Sequence, residues 1–127
     1  MNMKQIISTP NAPQAIGPYS QAVEANGFVF VSGQIPIVPA TGQMPDGIEA
    51  QTEQVMRNIG AILEATGLTY SNVVKTTVLL KSIADFATMN GIYAKYFTAD
   101  CPARAAFEVA ALPKGALIEV EVIAAKN

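Results

Sequence analysis

The spacing of apolar residues changes along this chain, and that change constrains the fold more than any other feature of the sequence. From Ile48 to Thr66 the apolar positions fall on one helical stripe, and Gly67 follows at the place of a C-terminal cap. The segment from Val74 to Lys81 instead alternates with a period of two, which predicts a strand with one wetter face. Phe28 to Val31 is a continuous apolar run and predicts a strand that is buried on both faces.

A second helix and four further strands complete the predicted pattern. Ser82 to Asp85 has the form of a capping box, and the helix that follows is predicted to run to about Phe97. The other predicted strands are Lys4 to Ser8, Tyr19 to Ala25, Ala103 to Ala110 and Leu117 to Ala125. The order β-β-β-α-β-α-β-β predicts an α+β fold with two helices on one face of a sheet. A chain of 127 residues predicts a single domain, 1–127.

The face of this sheet away from the helices needs a cover. Phe28 or Val29, Leu79 and Ile123 cannot all point toward the helices, so a second apolar face is left. Large exposed apolar patches usually mark subunit contacts. The sequence therefore predicts a homo-oligomer.

The residue inventory excludes several kinds of catalytic site. The chain has no His and one Cys, which excludes a Ser/His/Asp triad, a Cys/His dyad and a zinc site rich in His or Cys. The acidic residues lack the spacing of a calcium loop, so we predict no metal site. Any chemistry must use carboxylates, hydroxyls, amides, backbone groups, lysines or the two arginines, Arg57 and Arg104.

Charge and hydropathy argue against nucleic-acid and membrane partners. The net charge is −2 without basic runs, and no apolar run approaches the roughly 20 residues of a membrane span. The first seven residues lack the regions of a signal peptide, and a lone Cys agrees with a reducing compartment. We therefore expect a cytoplasmic protein.

Arg104 is the first candidate for a functional role because it lies among small apolar residues of a predicted strand. A guanidinium in that setting needs a bidentate anionic partner to offset its desolvation. A substrate carboxylate satisfies this need, and so does an acidic residue of another subunit. Both interpretations stay open on the sequence alone.

Glu119 and Glu121 project from the same face of the last predicted strand, while the apolar residues between them face the other way. They are interpreted either as a carboxylate that orients water beside a bound anion, or as two solvated charges matched with lysines. If a hairpin joins the last two strands, the same face also carries Arg104, although the turn alone leaves the register open.

Two loops and one amide are further candidates. The segments 16–22 and 31–36 are rich in Gly, Pro, hydroxyl and amide groups, and such loops either present backbone N–H groups to an anion or form plain turns. Asn90 interrupts the apolar stripe of the second helix, and a satisfied or solvated polar group is the common explanation. Cys101 lacks a base that would activate it and is interpreted as a bystander thiol.

Together, five short motifs resemble the RidA (YjgF) family, over nearly the whole chain. They are Gly17-Pro18-Tyr19, Ser32-Gly33-Gln34-Ile35-Pro36, Pro102-Ala103-Arg104, Leu112-Pro113-Lys114 and Ile118-Glu119-Val120-Glu121. The resemblance implies a chorismate-mutase-like α+β fold with a mixed sheet, and a homotrimer with three clefts between subunits. It also implies a cofactor-free deaminase that hydrolyses 2-iminobutanoate and 2-iminopropanoate to 2-oxo acids and ammonia. These imino acids are released by pyridoxal-phosphate dehydratases that act on threonine and serine.

The resemblance also implies roles for single residues. Arg104 matches the arginine that binds the substrate carboxylate, and Glu119 matches the glutamate that positions the attacking water. The substrate-binding positions of the cleft are matched by Tyr19, Ser32, Gly33, Asn90 and Ala106. Tyr19 is expected to come from a neighbouring subunit. Many members have Cys at position 106, so Ala106 is harmless only if this position works through its backbone.

Three other interpretations remain open. The first is a non-enzymatic sensor that binds small 2-oxo or amino acids in the same cleft. The second is a protein that acts on nucleic acid, which two arginines and a net charge of −2 oppose. The third is a structural role in which Arg104 and Glu119 only hold subunits together.

Overall fold

A computed structural model describes residues 3–127, in which six strands form one sheet and two α-helices pack beside it. The strands are β1 (Gln5–Ile7), β2 (Ala22–Ala25), β3 (Phe28–Gln34), β4 (Val73–Leu80), β5 (Ala103–Glu108) and β6 (Ile118–Ala125). The helices are α1 (Ile48–Ala65) and α2 (Phe86–Tyr93). The strand order in the sheet is β1-β2-β3-β6-β4-β5.

The sheet is mixed, because β4 and β5 run parallel and all other neighbouring strands run antiparallel. Each helix connects two strands of the same direction: α1 leads from β3 to β4, and α2 leads from β4 to β5. The last strand, β6, lies between β3 and β4 and pairs with both. The predicted α+β fold with two helices and a mixed sheet is confirmed.

The core lies between the helices and one face of the sheet. Ile59 and Ile62 of α1 are fully buried, as are Val29 of β3 and Val78 of β4. The apolar stripe predicted for residues 48 to 66 therefore forms the inner face of α1, and Gly67 follows the helix with φ 79° as a cap requires.

The opposite face of the sheet, called the open face below, is apolar and uncovered in the single chain. Its exposed side chains include Ile6 (58% exposed), Phe28 (42%), Phe30 (45%) and Phe107 (53%). The second apolar face is thus present as predicted. The prediction that Phe28 to Val31 is buried on both faces is wrong for the single chain, because only its inward residues meet the helices.

Several predicted boundaries differ from the structure. The strand predicted for Tyr19 to Ala25 begins only at Ala22, and the strand predicted for Ala103 to Ala110 ends at Glu108. The second helix ends at Tyr93 rather than near Phe97, since the chain continues in turns, and the Phe97 side chain still packs in the core. Ser82 caps a short 3₁₀ turn, Ile83–Asp85, that precedes α2. A register shift at the start of β4 turns Val73 inward and leaves Val74 exposed.

The predicted hairpin between the last two strands is absent from residues 3–127. β5 pairs with β4, and β6 pairs with the other edge of β4, so one strand separates them. The turn Pro113–Gly115 leads instead across the sheet into β6.

Neither α-helix in the described part of the chain combines the length and the apolar character that a membrane crossing demands.

Candidate functional site

The alternation of β6 places Glu119 and Glu121 on the open face. Ile118 and Val120 point into the core and are buried, while Glu119 is half-buried and Glu121 is exposed. In register, Glu119 lies beside Leu79 of β4. The prediction that both carboxylates share one face is confirmed.

A bulge in β3 brings Gly33 against the Glu119 carboxylate. The register between β3 and β6 shifts between Val31 and Gln34, which is the stretch that holds Ser32 and Gly33. A Cβ atom added to Gly33 would lie 2.9 Å from Cδ of Glu119 and would overlap its carboxylate oxygen. The absence of a side chain at position 33 therefore gives Glu119 its place.

Four of the predicted site residues line one open cavity of about 620 Å³, called the Glu119 cavity below. They are Tyr19, Ser32, Gly33 and Glu119. The wall also includes Ile16, Ile35 and Lys114 from the loops and motifs noted in the sequence, together with Ile37, which the sequence did not single out. Aliphatic side chains, a phenol, a hydroxyl and a carboxylate together suit a small organic molecule with one polar end.

Burial raises the pKa of Glu119 above its usual value, and the nearby Glu121 carboxylate raises it further. No arginine or lysine lowers it in the described part of the chain. A carboxylate with a raised pKa beside a cavity is suited to accept and return a proton during a reaction.

Two buried amides hold the loops that form the cavity wall. Gln21 is 3% exposed; its side chain accepts a hydrogen bond from the Thr9 N–H and donates to the Thr9, Ala12 and Pro13 carbonyls. Asn58 of α1 donates to the carbonyl oxygens of Ile35 at 3.3 Å and Ile37 at 2.9 Å, just after the β3 bulge. The core thereby fixes both loops.

Arg104 lies on the other face of the sheet. It pairs in register with Thr76, whose side chain points to the helices, and its guanidinium reaches α2. Nη1 of Arg104 donates to Oδ1 of Asn90 at 2.7 Å, and Cζ lies 5.3 Å from the ring centroid of Phe86 and 4.9 Å from that of Tyr93. We call these four residues the Arg104 cluster. The guanidinium remains exposed to solvent.

Arg104 makes no salt bridge to an acidic residue within residues 3–127, where the ion pairs are Lys95 with Glu53 and Lys126 with Glu24. Its polar contact is the neutral amide of Asn90. The side chain is therefore fixed in place without being neutralised by its own chain.

The predicted site residues thus fall into two groups. Arg104, Asn90 and Ala106 belong to the helix side of β5 or to α2, and none of them lines the Glu119 cavity. The open possibility that Arg104 shares the face of Glu119 is wrong, because strand alternation puts the two on opposite faces. Tyr19, expected from a different subunit, lies in the same cavity as Glu119 of its own chain.

Sequence reasoning missed Phe86 and Tyr93 as contacts of Arg104. A signal was present: Phe86, Asn90 and Tyr93 are spaced i, i+4, i+7 and share one helix face. What the sequence could not supply was the parallel pairing that brings β5 alongside that face.

Within the described residues, no group of three or more His, Cys, Asp or Glu side chains is arranged to hold a metal ion. The Arg104 cluster instead offers a cation for an organic anion, and the Glu119 cavity offers a carboxylate for proton transfer. Cys101 is an exposed free thiol whose Sγ lies 3.5 Å from the Phe97 carbonyl oxygen.

Comparison with known proteins gives consistent matches along nearly the whole chain. The family model described as Endoribonuclease L-PSP matches residues 9–126. "Reactive Intermediate Deaminase A, chloroplastic" of Arabidopsis thaliana is 55% identical over 122 residues, which cover 95% of this chain and 65% of that protein's length. The Mus musculus "2-iminobutanoate/2-iminopropanoate deaminase" is 49% identical over 126 residues, which cover 98% of this chain and 93% of that protein.

Solved structures agree with the sequence matches. The crystal structure of E. coli TdcF with bound serine superposes with a TM-score of 0.94 and 41% identity, and the match covers 97% of this chain and 99% of that one. This chain therefore shares both sequence and fold with these proteins along almost its full length. The chain belongs to the RidA (YjgF) family, whose family model is described as Endoribonuclease L-PSP.

Proposed function

We propose that this protein is a 2-iminobutanoate/2-iminopropanoate deaminase that hydrolyses reactive 2-imino acids to 2-oxo acids and ammonia without a cofactor. Relatives of that name are about half identical to this chain over nearly its full length. The structural observation that carries the proposal is Arg104, a guanidinium held by Asn90 and two aromatic rings but not neutralised by any acidic side chain of residues 3–127. Such a group is prepared to bind a small carboxylate.

The proposed reaction uses one group from each half of the site. Arg104 binds the substrate carboxylate, and Glu119 holds a water and takes its proton as the oxygen attacks the imine carbon. Glu119 returns this proton to the nitrogen, so the resulting carbinolamine carries a hydroxyl and an amino group on one carbon. Glu119 then takes the hydroxyl proton and passes it to the amino nitrogen. The C–N bond breaks as the C=O bond forms, and ammonia and the 2-oxo acid are released.

This reaction makes a modest demand on the protein. Imines hydrolyse in water without a catalyst, and a thousandfold acceleration corresponds to about 4 kcal/mol of transition-state stabilisation. Positioning together with one acid–base group is enough to supply it. The half-buried Glu119, with its raised pKa, meets the second requirement.

The sheet separates Arg104 from Glu119 within one copy of the chain. One small substrate therefore contacts both the Arg104 cluster and the Glu119 cavity only if two copies of the chain each supply one of them. We therefore propose a chorismate-mutase-like homotrimer in which the Arg104 cluster of one subunit faces the Glu119 cavity of the next. The apolar open face, with Phe28, Phe30 and Phe107 exposed, supports association through the sheet.

The expected partners follow from the chemistry of the substrate. Reactive imino acids are short-lived, so we propose that pyridoxal-phosphate dehydratases acting on threonine and serine supply them nearby. We propose that the chain acts as one domain, 1–127, in the cytoplasm. We also propose that it binds neither nucleic acid nor a membrane, and the net charge of −2 supports this absence of anionic partners.

The test compares the two arginines of the chain. Arg104→Ala is expected to lose most of its activity on 2-iminobutanoate generated freshly from threonine, while fold and oligomeric state are retained because the side chain is exposed. Arg57→Ala, which removes the same charge from α1, is the matched control and should keep wild-type turnover. Turnover by Arg104→Ala near that of the wild type refutes the proposal, and dissociation of its oligomer indicates a structural role instead.

A second candidate is a sensor that binds small acids in the same cleft without turnover. The E. coli relative solved with bound serine supports it, because serine carries an amine and not a hydrolysable imine. Stabilisation of the protein by serine or 2-oxobutanoate, without acceleration of imine hydrolysis, would favour the sensor.

A further inference from the structure

One face of α2 carries a stripe of three side chains that all contact Arg104. Phe86, Asn90 and Tyr93 follow at i, i+4 and i+7, so they lie in one row along the helix. Asn90 provides the hydrogen bond at 2.7 Å, while the two rings lie 5.3 and 4.9 Å from the guanidinium carbon. These distances are within the range of cation–π contacts.

Contacts with the sheet and the core hold the two rings in place. Tyr93 is 7% exposed, and a hydrogen bond of 2.8 Å joins its hydroxyl to Oγ1 of Thr76. Thr76 is the register partner of Arg104, so the strand pair that carries the guanidinium also anchors the ring beneath it. Phe86 is half-buried and packs against the hydrophobic core.

The geometry points to Phe86 and Tyr93 as positioning residues that fix the plane of the Arg104 guanidinium, so that the N–H donors not used by Asn90 face an incoming carboxylate. This inference rests on the proposed function. Aromatic rings that contact a planar guanidinium restrict its orientation, whereas they do not orient a flexible ammonium, so the same stripe favours Arg over Lys at position 104. Ordering the side chain in advance lowers the entropic cost of substrate binding.

The experiment uses the small number of arginines in the chain. Only Arg57 and Arg104 contribute guanidinium Nε–H signals to a ¹⁵N NMR spectrum. The signal that is lost in Arg104→Ala is assigned to Arg104, and the other to Arg57. In the wild-type oligomer we expect the Arg104 signal to be restricted in motion and shifted upfield by the rings. Phe86→Leu, which keeps an apolar side chain but removes the ring, should increase the motion of Arg104 and leave Arg57 unchanged. Phe86→Tyr should restore the wild-type signal.

Kinetics provide the second readout. Removing one cation–π contact at an exposed site is expected to raise KM for 2-iminobutanoate about two- to fivefold in Phe86→Leu, with kcat little changed, and Phe86→Tyr should reverse the effect. Restricted Arg104 motion and wild-type KM in Phe86→Leu would overturn the inference. An equal rise in KM in Phe86→Leu and Phe86→Tyr would also overturn it. The same holds for a variant that increases the motion of both arginines, since either result indicates a general packing role.

The two proposals fail in different ways. If wild-type protein does not accelerate imine hydrolysis, the proposed function fails, while the NMR comparison still decides whether the rings hold Arg104. If the wild type is active and Arg104→Ala is not, but the Phe86 variants behave as the wild type in both readouts, only the positioning role is wrong.

Discussion

At the scale of single residues, the neutrality of Asn90 matters as much as the charge of Arg104. The Asn90 amide oxygen accepts one N–H and leaves the positive charge of the guanidinium available. A carboxylate at the same place would form an ion pair and compete with the substrate for that charge. The side chain at position 90 therefore decides whether Arg104 is a receptor or an internal salt bridge.

Asn90→Asp is accordingly expected to raise KM for 2-iminobutanoate by about tenfold or more, since an ion pair replaces a neutral hydrogen bond. Steady-state kinetics at neutral pH measure the effect. Asn90→Ala is the control: it removes the hydrogen bond without adding charge and should raise KM less. An Asn90→Asp variant that binds substrate as well as Asn90→Ala does would contradict the role given to the Arg104 charge.

The pH dependence of activity tests Glu119. As a base it must be ionised, so activity falls as pH drops through its pKa, and burial and Glu121 place that pKa above the usual value for Glu. The acidic limb of the kcat/KM profile should therefore lie at higher pH than an ordinary glutamate gives. Glu121→Gln removes the repulsion but not the burial, so the limb should move partway to lower pH.

Glu49→Gln is the matched control, because this exposed carboxylate lies in the first turn of α1. It should leave the acidic limb in place. If Glu121→Gln shifts the limb to higher pH, or if the wild-type limb lies at the usual pKa of a glutamate, Glu119 is not the group that the profile reports.

At the scale of elements, α1 packs closely against the 3₁₀ turn Tyr70–Asn72 that precedes β4. The Tyr70 hydroxyl donates to the Met56 carbonyl at 2.6 Å, and a Cβ atom at Gly60 would overlap that hydroxyl. A glycine in the middle of a helix normally costs stability relative to alanine. Here the space that it leaves is filled by the tyrosine.

Gly60→Ala is therefore expected to lower the free energy of unfolding by about 1–3 kcal/mol, through loss of the Tyr70 hydrogen bond and local strain. Gly91→Ala is the matched control in α2, where the added Cβ meets no atom of the described residues within 4 Å apart from its chain neighbours and the backbone of its own helix. It should raise stability by about 0.5–1 kcal/mol from helix propensity alone. Urea unfolding of both variants at one protein concentration measures the difference, and a stabilised Gly60→Ala would disprove the contact.

The elements themselves could largely be read from local patterns, whereas their partners could not. The stripe of α1 and the alternation of β6 are properties of contiguous residues, and both predictions are confirmed. The hairpin between residues 103–110 and 117–125 was a prediction from adjacency, and it is wrong because β4 lies between them. Strand order depends on which segments bury the most apolar surface together, which no short window of sequence contains.

At the scale of the whole molecule, the separation of Arg104 and Glu119 by the sheet predicts complementation between defective subunits. Arg104→Ala and Glu119→Gln should each be nearly inactive as pure oligomers. Trimers assembled from an equal mixture should regain activity in roughly a quarter of their sites, because a head-to-tail interface then joins the intact halves of two different subunits. Imine hydrolysis before and after co-refolding measures the gain.

Native mass spectrometry of the same mixture shows how well the subunits exchange, because the two variants differ in mass, and it serves as the control. If subunits exchange but the two defective variants together remain inactive, the halves do not form a shared site. Activity in a stable monomer would also contradict the composite arrangement.

The sequence by itself determined the elements, the apolar second face of the sheet and the identity of the candidate residues, because these follow from side-chain periodicity and from which chemical groups the chain contains. Tertiary structure decided that Gly33 lies against Glu119, that α2 supports Arg104, and that the two charged residues face opposite ways. These relations join positions far apart in the chain. These relations depend on the position of β6 between β3 and β4 in the sheet, and local propensity does not encode that pairing.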